Sequence, residues 1–436
     1  MSRHNLKIYA VLLLLSITLG SRGAVTDTAD YFNTNYLRYS NYVYKPGIRT
    51  VRLEKPDDEL STPLLELGKG DQLRLSFDDF EGDVKDLHYT FVHCDANWKP
   101  SDLLPAQYIN GFTDDRISNY AFSFNTLQHY THYNLLFPTA DMQPTLSGNY
   151  LLKVYLGSDQ DNLIITRIFR VVEPRIDVKA NIHRATIVND RDSKQEVDFS
   201  IVYSGYRIDD VYNGLKVVIS QNDRMDNAIS GLKPRFVKEN ELVYDYDREN
   251  VFNGGNEFRF FDIRTLKFQT ERIAAVSFDS LNKVQLYADD DRSAKRYSII
   301  PDINGKYTVK IREKTNSDIE ADYVLVHFSL PYDFPLTDGN LYIFGQLSEW
   351  TFKEECKMKY DLSDRTYKGD VYLKQGYYDY EYAYVKDGTQ KADETYVEGN
   401  HFETDNDYTI YVYDKPQGSR YDKLIGAKKF NSRSFY

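Results

Sequence analysis

Leu73-Arg74-Leu75-Ser76-Phe77-Asp78-Asp79 sets the fold class. Apolar residues fall at every second position until Asp78-Asp79 and Gly82 close the run. Period two over four to eight residues marks a half-buried strand. The same beat returns at Tyr150, Leu152, Val154 and Leu156 before Gly157, and at Val197, Phe199, Ile201 and Tyr203. Leu215-Val217-Ile219 and Tyr307-Val309-Ile311 repeat it again. No stretch keeps helical spacing for longer than about three turns. Many short strands punctuated by Gly, Asn and Asp favour sandwiches over a parallel sheet.

Composition points the same way. The chain carries 38 Tyr and 24 Phe against two Cys and four Met. Aromatic side chains suit a pleated, half-buried surface, and so few cysteines exclude a disulfide-stapled scaffold. Its 436 residues exceed the roughly 250–300 at which one core stops growing. Two boundaries are expected, one at Val171-Val172-Glu173-Pro174-Arg175 and one in the polar run Glu313-Lys314-Thr315-Asn316-Ser317-Asp318. Pro174 has no amide donor and belongs in a linker or at a strand's start. The expected units are 24–173, 174–314 and 315–414, followed by a basic, irregular tail over 415–436 with Lys415, Arg420, Lys423, Lys428 and Lys429.

Residues 1–23 read as a cleaved signal peptide. Arg3 and Lys7 precede an apolar run from Ile8 to Leu19, and small residues follow at Gly20, Ser21, Gly23 and Ala24. The run is shorter than the roughly 20 residues that span a bilayer, so export with cleavage near Gly23 or Ala24 is expected. Removing this segment takes three basic residues and no acid, moving the net charge from −12 to −15. An acidic chain without a basic stripe is a poor nucleic-acid binder. The aromatic end, Phe435-Tyr436, does not close a membrane barrel, because Lys428, Lys429, Asn431, Ser432, Arg433 and Ser434 break the alternation a final strand needs.

Chemistry-bearing residues are scattered. The acidic run from Asp78 to Asp86 could hold calcium, but its spacing departs from the EF-hand pattern and a solvated turn is expected. In a strand His93 points away from Cys94 and from His88, so these residues do not converge as ligands. His129 and His132 lie among Tyr130, Tyr133 and Leu135, which read as core. Cys94 and Cys356 fall in different expected units, and no disulfide between them is expected. No GxSxG, HExxH or phosphate-cradling glycine loop occurs, and Gly254-Gly255 reads as a turn. The expectation is a protein with no enzymatic activity, catalytic residue, metal site or cofactor.

One strand stands out in the last unit. Tyr378, Tyr380, Tyr382 and Tyr384 share a face, after Leu341-Tyr342-Ile343-Phe344-Gly345 and Trp350. The layout is similar to early-set, immunoglobulin-like modules that bind starch and glycogen through exposed aromatics. The bland alternative is that these rings pair across strands and fill a sandwich. The four tyrosines are the candidate partner-binding residues. The fold class expected overall is all-β, with tandem immunoglobulin-like or early-set β-sandwich domains.

Several runs, taken in order, carry a second resemblance. They are Tyr36-Leu37-Arg38-Tyr39 with Tyr44-Lys45-Pro46-Gly47-Ile48-Arg49-Thr50-Val51, then Ser76-Phe77-Asp78-Asp79 with Gly82-Asp83-Val84-Lys85-Asp86. Tyr89-Thr90-Phe91-Val92-His93-Cys94-Asp95-Ala96-Asn97-Trp98 and Pro100-Ser101-Asp102-Leu103-Leu104-Pro105 follow. Phe122-Ser123-Phe124-Asn125-Thr126 and Ser147-Gly148-Asn149-Tyr150-Leu151-Leu152-Lys153-Val154-Tyr155 come next. Gly254-Gly255-Asn256-Glu257-Phe258-Arg259 and Phe261-Asp262-Ile263-Arg264 complete the set. From about Tyr31 onward the chain resembles the plug protein family of the type IX secretion system, formerly a domain of unknown function. The resemblance implies a periplasmic protein, peripheral to the outer membrane. Its implied partner is the giant outer-membrane translocon β-barrel, whose periplasmic opening it seals when idle. It brings no catalytic, metal-binding or contact residues. A glycan-binding β-sandwich protein of the periplasm or cell surface is the alternative, and a hydrolase on a β scaffold a third.

Overall fold

The computed structural model describes residues 36–435, so the expected signal peptide lies outside the described residues. From Leu37 onward the chain is one compact unit containing three β-sandwiches, each closed around its own hydrophobic core. Among the described residues, helix is confined to short pieces such as Pro105–Tyr108, Ser317–Glu320 and Thr395–Glu398. The all-β sandwich expectation holds. Among the described residues no helix is long and apolar enough to cross a membrane.

In the first sandwich, one sheet places Tyr42–Val43, Leu163–Val172, Gly148–Leu156, Leu87–Cys94 and Asp115–Arg116 side by side. The facing sheet runs Ile48–Glu54, Leu73–Asp79, Thr131–Phe137 and Asn119–Phe122. Alternation decides what goes inside: Leu73, Leu75 and Phe77 are fully buried and sit opposite Phe137, Leu135 and Tyr133. Phe91, Phe137 and Phe169 meet between the sheets at 5.3–5.5 Å.

The other two sandwiches are not laid end to end. The middle one begins with Asp177–Arg184, Lys194–Val202 and Leu215–Gln221, but its last two strands are Asp407–Asp414 and Lys423–Asn431. Val217 lies opposite Val412, and Ile219 opposite Ile410. The short strands between Ile229 and Asn253 still belong to the middle sandwich, and those from Arg259–Asp262 to Ala392–Asp393 build the third. The third is therefore inserted into the middle one. Sheet membership corrects the expected cuts: 259–309 joins the third core, and 407–431 the middle core. The expected irregular tail holds a nine-residue strand, with Leu424 and Ile425 fully buried.

The connections are themselves bonded. Glu173 and Arg175 donate backbone N–H groups to the carbonyls of Leu424 and Ile425, at 2.9 and 2.8 Å. Successive residues of an extended chain point their N–H groups to opposite sides, so the donor that Pro174 lacks falls on the side away from this partner. At the insertion joint, Gly254 and Gly255 leave the middle sandwich beside the returning segment Asn400–Asn406. A Cβ on Gly254 would stand 1.9 Å from the His401 carbonyl oxygen, so only glycine fits. The pair that read as a turn is the crossing point of two chain segments.

Candidate partner-binding surface

The tyrosine strand is the first place to look for a site, and it is closed. Tyr378, Tyr380, Tyr382 and Tyr384 do share one face of Gly376–Lys386, but that face looks into the third core and all four rings are buried. Tyr380 and Tyr382 both donate their hydroxyls to Asp289 Oδ2, at 2.6 and 2.7 Å. Asp289 Oδ1 is held by Arg259 and Arg272, at 3.0 and 2.7 Å. Burial, with Asp289 beside them, pushes both phenols well above their usual range. Rings with at most 7% of their residue's surface exposed offer almost nothing to a sugar or a partner. The four tyrosines are corrected from candidate contact residues to core.

The acidic turn is filled by its own lysine. Asp79, Glu81 and Asp83 come close enough to share a cation, and the Lys85 ammonium occupies that position. It lies 2.7 Å from Glu81 and 2.9 Å from Asp83. His93 bonds to Ser101 Oγ at 2.8 Å and the Ser147 carbonyl at 3.2 Å, and His132 pairs with Asp78. Cys94 and Cys356 are buried free thiols, each pushed up to about 12 by burial.

What the first sandwich does expose is an aromatic edge. Asn119–Phe122 ends its sheet. Tyr120, Phe122 and Phe124 follow one another at alternate positions, with 42%, 55% and 66% exposure. The Ser123 N–H bonds to the Tyr130 carbonyl, so by antiparallel alternation the N–H and C=O of Tyr120 and Phe122 face away from the sheet. The edge is closed at Phe124, whose N–H bonds to the Ile319 carbonyl at 2.8 Å, and open at Tyr120 and Phe122, where an unpaired strand flanked by exposed rings is a template for another chain. Phe122-Ser123-Phe124 shows the period in the sequence, but nothing in it shows which strand lies at an edge.

Buried ion pairs tie the three sandwiches together. Asp78 of the first accepts from Lys374 Nζ at 2.6 Å and Tyr323 Oη at 2.7 Å, both of the third. Arg167 reaches Glu349 at 2.6 Å, and Lys306 joins Asp223 at 2.6 Å while donating to the Leu60 carbonyl at 2.7 Å. Arg170 lies 4.0 Å from the Tyr411 ring and bonds Tyr413 Oη at 3.3 Å. Around it Ala96 and Val172 pack against Val218, Tyr411, Tyr413 and Leu424.

Residues 48–173, covering nearly all of the first sandwich and its aromatic edge, match the family model of the type 9 secretion system plug protein 1st domain. The chain belongs to the type 9 secretion plug protein family. The crystal structure of a hypothetical protein from Parabacteroides merdae is 34% identical, with a TM-score of 0.87, covering 91% of this chain and 100% of that one. This plug-family protein thus shares its whole three-sandwich arrangement with a solved relative. Native α-2-macroglobulin from Escherichia coli, spanning domains NIE-MG1, aligns at 12% identity and a TM-score of 0.15 over 47% of this chain and 86% of that one, too low for any argument. No curated protein matches the sequence.

Asp302 and His183 are among the groups that make the stability of this plug-family protein depend on pH. Burial, with Glu257 and Asp405 nearby, pushes the Asp302 carboxyl up to about 7. The hydrogen bond to Asp198 raises His183 to about 9. Both folded values lie above the unfolded ones of about 3.9 and 6.5, so the native state holds more protons. Their stabilisation is complete below the unfolded values and is lost as pH rises through about 7 for Asp302 and about 9 for His183. The melting temperature is expected to fall between about pH 4 and about pH 9, with the first part of the decline, up to about pH 7, smaller in Asp302→Asn.

Proposed function

We propose that this protein is a periplasmic plug that binds the periplasmic opening of the type IX outer-membrane translocon barrel and seals it when idle. The match of residues 48–173 to the plug protein's first domain carries this reading. The export pattern at the N-terminus supports it, since such a protein must leave the cytoplasm. A pore that passes folded cargo leaks solutes when empty. Sealing it calls for a body that hardly deforms, and close-packed sandwiches tied by buried ion pairs suit that task without catalysis or an energy source. The exposed edge at Tyr120, Phe122 and Phe124 supplies aromatic anchors of the kind that dominate protein interfaces. Burial of the tyrosine strand removes the main support for a glycan-binding role.

Purified wild-type translocon is expected to carry this chain. A strain lacking the gene is expected to secrete while admitting large dyes or antibiotics across the outer membrane. An impermeable deletion strain, together with a barrel that purifies without this chain from wild-type cells, overturns the proposal.

A further inference from the structure

A cleft of about 630 Å³ opens on the outer face of the third sandwich, and its lining residues lie outside the plug-domain match. Its floor is set by strand alternation. Asp262 lies opposite Tyr377 in the register of Arg259–Asp262 and Gly376–Lys386. Phe261 and Tyr378 turn into the core, so Phe260, Asp262 and Tyr377 turn outward. Phe260 and Tyr377 stack at 5.6 Å. Phe268 and Ile299 rise as walls with more than half their surface exposed.

The polar groups of the cleft are unevenly used. Asp262 accepts from the Arg264 N–H at 3.0 Å, Arg264 Nε at 2.9 Å and Arg264 Nη2 at 2.7 Å. Arg312 Nη2 adds a fourth bond at 2.6 Å. The carboxylate's acceptor capacity is filled. Each guanidinium carries five N–H donors, and among the described residues Arg264 Nη1 with Arg312 Nε and Nη1 have no acceptor. Arg264 also lies 5.5 Å from the Tyr377 ring. Glu271 stands at the exposed rim. The forked N–H donors of a guanidinium match the two oxygens of a carboxylate. Apolar walls at the same spot select a hydrophobic group joined to that carboxylate.

We propose that this cleft is a binding site for an extended peptide segment of a protein partner, taking a carboxylate on Arg264 and Arg312 and the adjoining apolar side chain between Phe268 and Ile299. The inference rests on the reading of this protein as one that works by binding another protein. The carboxylate comes from an acidic side chain or from a chain terminus, and the two are separable by experiment.

The test titrates labelled hexapeptides into the full mature chain by fluorescence anisotropy. One peptide has Glu-Phe at its centre and an amidated end, one has Gln-Phe there, and one ends in Phe with a free carboxylate. Saturable binding of the first or the third is expected, with the Gln-Phe peptide at least tenfold weaker. Ile299→Ser changes an exposed side chain and is expected to leave the melting temperature unchanged, whereas Arg312→Ala also removes the fourth bond to Asp262 and is expected to lower it slightly; at least tenfold weaker binding is expected of both. No saturation by any peptide up to about 1 mM, binding indifferent to both substitutions, or displacement by inorganic phosphate or a soluble glucan overturns the proposal. A wild-type chain that captures peptide but no barrel supports the cleft and overturns the plug. Cleft variants that lose peptide yet stay with the barrel leave the plug standing and overturn the cleft as its contact.

Discussion

Asp78→Ala is expected to lower folding stability by about 3–5 kcal/mol, the cost of stranding a buried charge. Asp78 and Lys374 are both sealed from solvent at 2.6 Å, between the first and third sandwiches. Without the carboxylate, the Lys374 ammonium keeps the Asp318 carbonyl at 2.7 Å and the faces of Tyr130 at 4.2 Å and Tyr323 at 5.9 Å, but no counter-charge at bonding distance. Tyr323 and His132 lose an acceptor as well. Replacing both partners by apolar residues, Asp78→Leu with Lys374→Met, leaves no orphaned charge and is expected to cost much less. Urea denaturation of the three chains checks this, and an Asp78→Ala loss below about 1 kcal/mol would show the pair to be solvated. Acid adds a second measure. Burial alone would raise the Asp78 carboxyl, but Lys374 and His132 hold it below its usual range. Its stabilisation is therefore present above the unfolded value of about 3.9 and lost as pH falls through the lower folded one.

A chain ending at Asp414 is expected to yield no soluble folded protein. The missing segment carries Leu424 and Ile425, which fill the middle core and its contact with the first sandwich. It also carries the whole strand Lys423–Asn431 paired to Asp407–Asp414, and the carbonyls that hold Glu173 and Arg175. Truncating a single buried Leu or Ile side chain to Ala costs about 2–5 kcal/mol, against a total stability of about 5–15 kcal/mol. The milder Ile425→Ala is expected to fold with a loss in that first range. Soluble yield and chemical denaturation separate this outcome from that of a dispensable tail, whose removal would leave both unchanged.

The reason that segment read as a tail is physical. Lys423, Lys428 and Lys429 belong to the last strand of its sheet, and edge strands carry lysine to discourage further pairing. Its charges advertised solvent while Leu424 and Ile425 were hidden between them. The strands at Leu73, Tyr150, Val197, Leu215 and Tyr307 were legible because alternation is local. Partner choice is not local: nothing near Leu215–Gln221 announces Asp407–Asp414. The tyrosine strand shows the same limit. Its shared face was readable, but which side is the core depends on Asp289 and Arg259, far away in sequence. The cleft joins Asp262 to Tyr377 and could not be read from either alone.

The nesting of one sandwich inside another fixes a schedule for the emerging chain. By Val172 the first sandwich has all its strands. The strand Leu215–Gln221, paired on one side only to the short Ile229–Ser230, must then wait for its long partner until Asp407–Asp414 appears. At roughly 5–20 residues per second that wait lasts on the order of ten to forty seconds. The inserted sandwich acquires all its strands during the wait, so completion runs first, third, middle. Contacts this distant in sequence also form slowly, because the loop between them must be closed before they reward it. Until the last two strands dock, the half-built middle sheet exposes Val217 and Ile219 on an unpaired edge, a sticky intermediate that a chaperone would have to shield.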